Sequence, residues 1–427
     1  MAVRQLSELI LDEDLKFIKF FNGRLLSGED LSREQASHRE ARRRIGLAIG
    51  YGIAEGLEVT ILDRSRQGAM VQVAKGLAIN RHGHIVTLPG PVDLPLVHTR
   101  TVPPPGSGAR LFQDCDPISG VYVAGADVYL LTICPAEGEA GRAQVSGLGT
   151  GHVGCNAKYL VEGVRFRLLK LNLSLTELSD QAHLRNRVAY QCFGVDELKP
   201  YQQTPFGPRT AGYGLIDRLR RENQLTDCEV PLALVSWRDE GIQFLDMWSV
   251  RRRVIKPSAN GEWDYTIGDR RRAEAEAMVL QFQEEIEQLL AEEINPQFVP
   301  ASAHFAFLPP VGVLQAAESS FAKGFRYAAF FSGKTFREPL YLERAVVEQL
   351  IRDACSYPPI DLRTKEMLWL YRVREHQQAR DVNASSTATP YLIFVNGHIP
   401  YRANARFDLS RWDYSNYSSM LLGPGGF

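Results

Sequence analysis

Few residues in this chain have the type and spacing to do chemistry. His152-x-x-Cys155, with Cys134 and Cys115 upstream, offers one imidazole and three thiols, a donor set that suits tetrahedral zinc. The long steps between these cysteines match no standard zinc spacing, and scattered cysteines read equally as small buried hydrophobes. His82-x-His84 places two imidazoles in an expected hairpin turn, where exposed polar residues are ordinary. Gly147-x-Gly149-x-Gly151 lacks the spacing of a dinucleotide fingerprint and reads as a loop. The chain has no G-x-S-x-G elbow, no H-E-x-x-H, no phosphate-binding loop and no C-x-x-C pair. The expectation is a protein with no catalytic residues, no cofactor and no resident metal, in which Cys115, Cys134, His152 and Cys155 are the leading metal candidates and His82 with His84 a weaker pair.

Charge and aromatic placement point toward protein contacts. Lys plus Arg is 49 and Asp plus Glu is 50, a net charge of -1, which argues against the broad basic surface that nucleic acid demands. Three basic triplets, Arg42-Arg43-Arg44, Arg251-Arg252-Arg253 and Arg270-Arg271-Arg272, each have acidic neighbours such as Glu40, Asp269 and Glu274. They read as solvated faces or intersubunit ion pairs, with an anionic-lipid patch as the alternative. The tail carries Trp412, Tyr414, Tyr417, Leu421 and Leu422 among Ser, Asn and Gly. Such aromatics suit interface anchors or stacking on sugars. The six cysteines are expected to be reduced, the start of the chain lacks the unbroken apolar stretch of a signal peptide, and no window is apolar enough to span a membrane. Cytoplasmic synthesis is the expectation.

Elements that would position these residues follow from local pattern. Asn22-Gly23 is a turn, and Ser27-Gly28-Glu29-Asp30 is a capping box that opens a polar helix to about Ile49, stopped by Gly50-Tyr51-Gly52. Its apolar stripe is narrow (Leu31, His38, Ile45, Ala48), so the helix lies on a surface or against a partner. Gly76–Ile79 and Ile85–Leu88 form a hairpin around Asn80–Gly83, after strands at 57–62 and 69–73. Strands at 121–123, 128–134, 164–169 and 229–237 surround a Gly-rich loop from Glu137 to Gly154, with helices at 181–193 and 215–222. Met278, Phe282, Ile286 and Leu289 mark one face of a long helix over 270–293, with Glu284, Glu285 and Glu287 mostly solvated. A strand-like stretch at 304–308, a helix at 343–354 and strands at 367–373 and 391–395 complete the chain. The fold class is α+β, mostly β. It comprises an N-terminal helix-plus-hairpin domain (1–102), a β-rich sandwich-like domain with helical insertions (109–262), and a helical and mixed α/β domain with an irregular tail (263–427).

The run from Phe20 to Leu31, FFNGRLLSGEDL, with Glu34-Gln35 following, resembles the opening of a family of baseplate-associated structural proteins of phage-tail-like, extracellular-type contractile injection systems. Gly52–Val59, Val71–Asn80, Gly83–Val86, Phe305–Gly312 and Tyr357–Leu362 are similar to later blocks of that family. The layout also looks loosely like the baseplate adaptor of type VI secretion, a likeness at the level of fold. The resemblance implies a scaffold or adaptor subunit near the baseplate or at a peripheral attachment point, in contact with other subunits of the machine and with copies of itself. It would bind no nucleic acid, and membrane contact is not indicated by the sequence. Phe20, Phe21 and Arg24, with the tail residues Trp412, Tyr414, Tyr417, Leu421 and Leu422, are the expected interface. Two other classes stay open: a tail-fibre-like module touching a glycan or membrane through the tail or the Glu137–Gly154 loop, and a zinc-dependent hydrolase using the four metal candidates.

Overall fold

A computed structural model of the chain describes residues 15–97, 123, 125–144, 155–198, 212–256, 268–292, 295–317, 323–382 and 390–397. Two compact units emerge. The first takes in residues up to Leu171 with Leu219–Leu245 and Arg251–Ala259, and the second takes in the rest. The class is α+β and β-rich.

Unit 1 begins with helix α1 (Gly28–Ile49) and six short strands. Strands β1 (Gly52–Gly56), β4 (Gly76–Ile79) and β5 (Ile85–Leu88) make one antiparallel sheet in the order β1-β4-β5. Strands β2 (Val59–Asp63), β3 (Met70–Val73) and β6 (Val92–Pro95) make another in the order β2-β3-β6. Alternation decides which side faces inward: along β5, Val86 and Leu88 are buried while Ile85 and Thr87 are exposed. The turn joining β4 to β5 has Gly83 at φ 81. There Asn80 accepts from the His84 amide at 2.9 Å and donates to the Cys228 carbonyl at 3.2 Å.

The remaining strands of unit 1, β7 (Asp127–Gln144), β8 (Cys155–Leu171), β9 (Val230–Arg238) and β10 (Gly241–Asp246), run in the order β10-β9-β7-β8. Strand β9 is buried along nearly its whole length, as expected of a strand covered on both faces. The Gly-rich loop expected from Glu137 does not begin there. Strand β7 continues to Gln144, in unbroken antiparallel register with β8. Weak local propensity is overridden by pairing with a β-rich partner. Deeper in this sheet, Arg167 donates to both carboxylate oxygens of Glu229 at 2.7 and 2.8 Å, and Thr132 donates to the same carboxylate at 2.8 Å. Burial opposes ionisation of Glu229, yet these donors and the Thr226 amide hold its carboxyl below the usual range.

Unit 2 contains α2 (Leu175–Ser179), α3 (Gln181–Cys192), most of α4 (Leu215–Arg221), α5 (Asp269–Glu292) and α6 (Arg344–Ala354). Its main sheet has the order β12-β17-β16-β13, with β12 (Val311–Gln315), β17 (Tyr391–Asn396), β16 (Met367–Val373) and β13 (Thr335–Phe336), and β14 (Leu340–Leu342) also pairs with β16. Alternate residues of the two central strands enter two cores. Leu368, Leu370, Leu392 and Phe394 pack with Phe282 and Ile286 of α5, and Phe282 meets Phe394 edge-on at 5.3 Å. Trp369, Tyr371, Ile393 and Val395 pack on the other face with Leu350 and Ala354 of α6. Burial on both faces explains why these strands read as continuous apolar runs. Only Phe307–Leu308 (β11) of the stretch expected to be strand-like at 304–308 is a strand, paired antiparallel with β15 (Ile360–Asp361).

Three further expectations are corrected. Glu285 is buried, Glu284 is half-buried and only Glu287 is exposed. The basic triplets are not wholly solvated: Arg251 and Arg271 are buried, and Arg251 donates to the carbonyls of Leu57 (2.9 Å) and Gly56. It thereby fixes a turn in which Leu57, fully buried, sits at φ 60. Cys228 is disulfide-bonded, so the six thiols are not all reduced, whereas Cys134, Cys192 and Cys355 are free. Spacing along a chain says nothing about which thiols tertiary folding brings together.

At Gly83 the left-handed backbone and a crowded surrounding act together. A Cβ there would lie 2.8 Å from Leu47 Cγ and inside contact distance of the Arg43 carbonyl. Gly83→Val should destabilise unit 1 by more than about 1 kcal/mol, visible as a lower midpoint in chemical denaturation. Unchanged unfolding would mean that the hairpin turn does not have this conformation.

Candidate interface

Helix α1 is opened by reciprocal hydrogen bonds. The Asp30 amide donates to Ser27 Oγ at 3.1 Å, and the Ser27 amide and hydroxyl donate to the Asp30 carboxylate at 3.0 and 2.9 Å. The Ser27 amide and hydroxyl, with Arg24, keep the Asp30 carboxyl below its ordinary value. Near its other end, Gly46 lies so close to the hairpin turn that a Cβ would enter the Gly83 carbonyl. Arg43 adds a bond to the His82 carbonyl at 3.2 Å while it and Arg44 grip Glu40 at 2.6 to 2.9 Å. Those guanidinium bonds, Arg43 foremost, bring the Glu40 carboxyl down to about 2.

Of the 22 residues of α1, only Ser37 and Gly46 are buried. The sequence stripe of Leu31, His38 and Ile45 therefore faces away from the core of its own unit, and Leu31 and Ile45 are exposed. Alongside lies the segment 15–26, tied to the helix by polar bonds. The Ile18 amide donates to Glu34 at 2.7 Å, Ser37 Oγ donates to the Lys16 carbonyl at 2.6 Å, and Phe17 meets His38 edge-on at 5.4 Å. Arg24 donates to the Lys19 carbonyl at 2.9 Å and to Asp30 at 3.2 Å, with its guanidinium 5.9 Å from the Phe21 ring centre. The backbone of the segment is thus held while its apolar side chains stay out: Phe20 is 59% and Phe21 62% exposed, with Phe17, Leu25 and Leu26 beside them. The result is a ledge of exposed apolar side chains along the segment, extended on the helix by Leu31 and Ile45, fourteen residues or about 21 Å apart along its axis.

Phe20, Phe21 and Arg24 therefore come together, whereas Trp412, Tyr414, Tyr417, Leu421 and Leu422 lie outside the described residues. Phe17, Leu25 and Leu31 belong to the same surface. Leu31 was legible from its seven-residue spacing to His38 and Ile45, and Phe17 from the apolar run around Phe20.

The metal candidates do not assemble among the described residues. Cys134 is buried on β7 opposite Arg165, and Cys155 on β8 pairs with Gln144. They are ten register positions apart, about 33 Å at strand rise, too far to share an ion. Burial, then the Glu229 charge, pushes the Cys134 thiol up to about 11, away from the thiolate that zinc requires. His152 and Cys115 lie outside the described residues. His82 and His84 have ring centres 6.3 Å apart at the hairpin turn.

Unit 2 holds two buried charge clusters. Arg270 bonds to Asp217, Glu274 (2.8 Å) and the Tyr213 carbonyl (2.8 Å), with its guanidinium 3.9 Å from the Tyr213 ring centre. In the other, Arg185 of α3 donates to Asp246 at 3.0 Å and to Gln288 and Glu284 of α5, and Gln281 donates to both Asp246 (3.1 Å) and Glu285 (2.7 Å). Three carboxyls here face one guanidinium. Burial, reinforced by Asp246 and Glu284 against the pull of Arg185, raises the Glu285 carboxyl to about 7. Such a value also suits a general acid or base, but the contacts of Glu285 are with side chains that knit α3 and α5 together.

No protein-family model matches the chain, and no curated protein matches it. Solved structures give partial likenesses. One is a type VI secretion system TssK–TssF–TssG baseplate subcomplex, 9% identical over 66% of this chain and 73% of that chain, with a TM-score of 0.23. Another is a crystal structure of TssK, 12% identical over 66% of this chain and 50% of that chain, with a TM-score of 0.25. Scores this low carry no weight for role.

Glu285 makes stability depend on pH. The folded chain holds a proton that an unfolded glutamate, titrating near 4.5, releases. This contribution is whole below about 4.5 and is lost as pH rises through about 7, on the order of 3 kcal/mol in all. Glu285→Gln, which keeps the acceptor for Gln281, should therefore be more stable than the wild type at pH 8 and nearly equal to it at pH 4.5. Parallel denaturation curves at both pH values check this, and an equal gap at both would refute it.

Proposed function

We propose that the protein is a structural subunit of a phage-tail-like contractile injection system, joined to its neighbours through the ledge of segment 15–26 and α1. The observation that carries this reading is a helix of 22 residues that buries two of them in its own unit while its apolar stripe and three phenylalanines stay outside. Large apolar side chains exposed together in this way mark an interaction surface. Burying each of these side chains against a partner is worth about 1.5 kcal/mol or more. The run that carries the family resemblance, Phe20 to Leu31, is the same run that builds the ledge. The support is therefore sequence resemblance and exposed surface, and the partial likenesses to solved structures do not enter it. Attachment near the baseplate as a scaffold or adaptor is the role this reading assigns.

The test is a double change on the ledge, Leu31→Glu with Ile45→Glu. Both side chains are exposed, so melting of the isolated protein should stay within about 2 °C of wild type. Co-purification with the particle should be lost. A variant that still joins the particle contradicts the reading, and one that unfolds shows that the ledge belongs to the protein's own core.

A further inference from the structure

Where β16 runs into the helix α7 (Arg374–Val382), unit 2 forms a small open cleft. Tyr341 of β14, Arg372 and Val373 of β16, and His376 and Gln377 of α7 line it, with Pro390 and Tyr391 at the start of β17. Register brings the walls together. Tyr341 pairs with Arg372 across the parallel ladder of β14 and β16, and Arg372 pairs in turn with Leu392, the neighbour of Tyr391. Both tyrosines are 47% exposed. The Tyr391 ring centre lies 6.1 Å from that of His376, with the planes inclined at 54°. Among the described residues, the buried Nδ1 of His376 has no hydrogen-bond partner.

Charge around the cleft is balanced. The Arg372 guanidinium lies 5.6 Å from the Tyr327 ring centre, and the Tyr327 hydroxyl donates to Glu338 at 3.0 Å, so a cation and a carboxylate meet at one ring. Glu375, beside His376, accepts from the Arg344 amide at 3.0 Å, and that bond holds its carboxyl below the usual range. A charged ligand therefore gains little here. What the cleft does offer is aromatic surface and hydrogen-bond donors, since tyrosine hydroxyls, the glutamine amide and an imidazole N–H can all donate. The complementary ligand is uncharged, has compact apolar rings and presents many carbonyls with few N–H groups. A polyproline II segment has these properties, because proline lacks the backbone N–H and this helix leaves its carbonyls unbonded.

We infer that this cleft receives a proline-rich segment of another subunit in the polyproline II conformation. Pyrrolidine rings pack against Tyr341 and Tyr391, and a ligand carbonyl accepts from His376 Nδ1 in the tautomer that carries its proton there. Grooves lined by aromatic side chains recognise such segments because the extended conformation is already formed and little order is lost on docking. This inference rests on the subunit role proposed above but uses a different surface.

The experiment titrates full-length protein into fluorescein-labelled octaproline, read by anisotropy. Eight-residue peptides of alternating glycine and serine and of alternating glycine and glutamate serve as comparisons. Octaproline should bind at least tenfold more tightly than either. The double variant Tyr341→Ala, Tyr391→Ala should weaken its binding at least tenfold. His376→Phe keeps a ring and removes the nitrogen, and should weaken binding about fivefold, the equivalent of one hydrogen bond; it carries the test if the double variant does not fold. Absence of octaproline binding, equal binding of all three peptides, tighter binding of the glutamate peptide, or unchanged binding in His376→Phe would each overturn the inference. The Leu31→Glu, Ile45→Glu variant should bind octaproline as wild type does, so failure at the ledge and failure at the cleft are read separately.

Discussion

Where Gly46 of α1 meets Gly83 of the hairpin turn, two backbones approach more closely than any side chain permits. That contact anchors the helix near its C-terminal end, and the Arg43 bond to the His82 carbonyl reinforces it. With Gly50 taking the chain out of the helix and into β1, the helix is set at one end and carries little burial elsewhere. The polar ties of segment 15–26 then have a fixed partner, and Phe20 and Phe21 are held outward. A larger residue at either glycine would displace the helix and, with it, the surface to which function is assigned.

Charge is managed in the interior by enclosure in hydrogen bonds. Arg167 with Glu229, Arg185 with Asp246 and Arg270 with Asp217 and Glu274 are all buried, each with further donors or acceptors around it. Buried pairs of this kind add little net stability over apolar substitutes, but losing one partner costs about 3–5 kcal/mol. They therefore punish wrong arrangements of strands and helices more than they reward the right one. The Arg185 cluster goes further, since burial, reinforced by the neighbouring carboxyls, raises the Glu285 carboxyl to about 7.

Much of this was legible. The Ser27–Asp30 capping box and Gly50 marked both ends of α1, apolar spacing gave α5, and alternation around Asn80–Gly83 gave the β4–β5 hairpin. What escaped depends on distant partners. The stretch AEGEAGRAQ looks like a loop because glycine and glutamate disfavour strands, and only its pairing with residues 155–163 makes it a strand. Glu285 looked solvated because it is a glutamate, although it lies three residues from Phe282 and four from Leu289, on the apolar face. Arg251 and Arg270 looked like surface charge because the carbonyls and carboxylates that receive them lie far away in sequence. The exposed side chains of the ledge were visible as a narrow stripe, whereas their outward orientation required the structure.

The central claim is that α1 and the segment before it are completed by another subunit. Hydrogen–deuterium exchange of residues 15–49, compared between isolated protein and assembled particle, addresses it most directly. In the isolated protein the outer turns of α1, held by few buried contacts, should exchange quickly, while residues near Gly46 should be slower. In the particle the outer turns should become protected to the level of the strands of unit 1. Equal exchange of residues 15–49 in the two states would contradict the account.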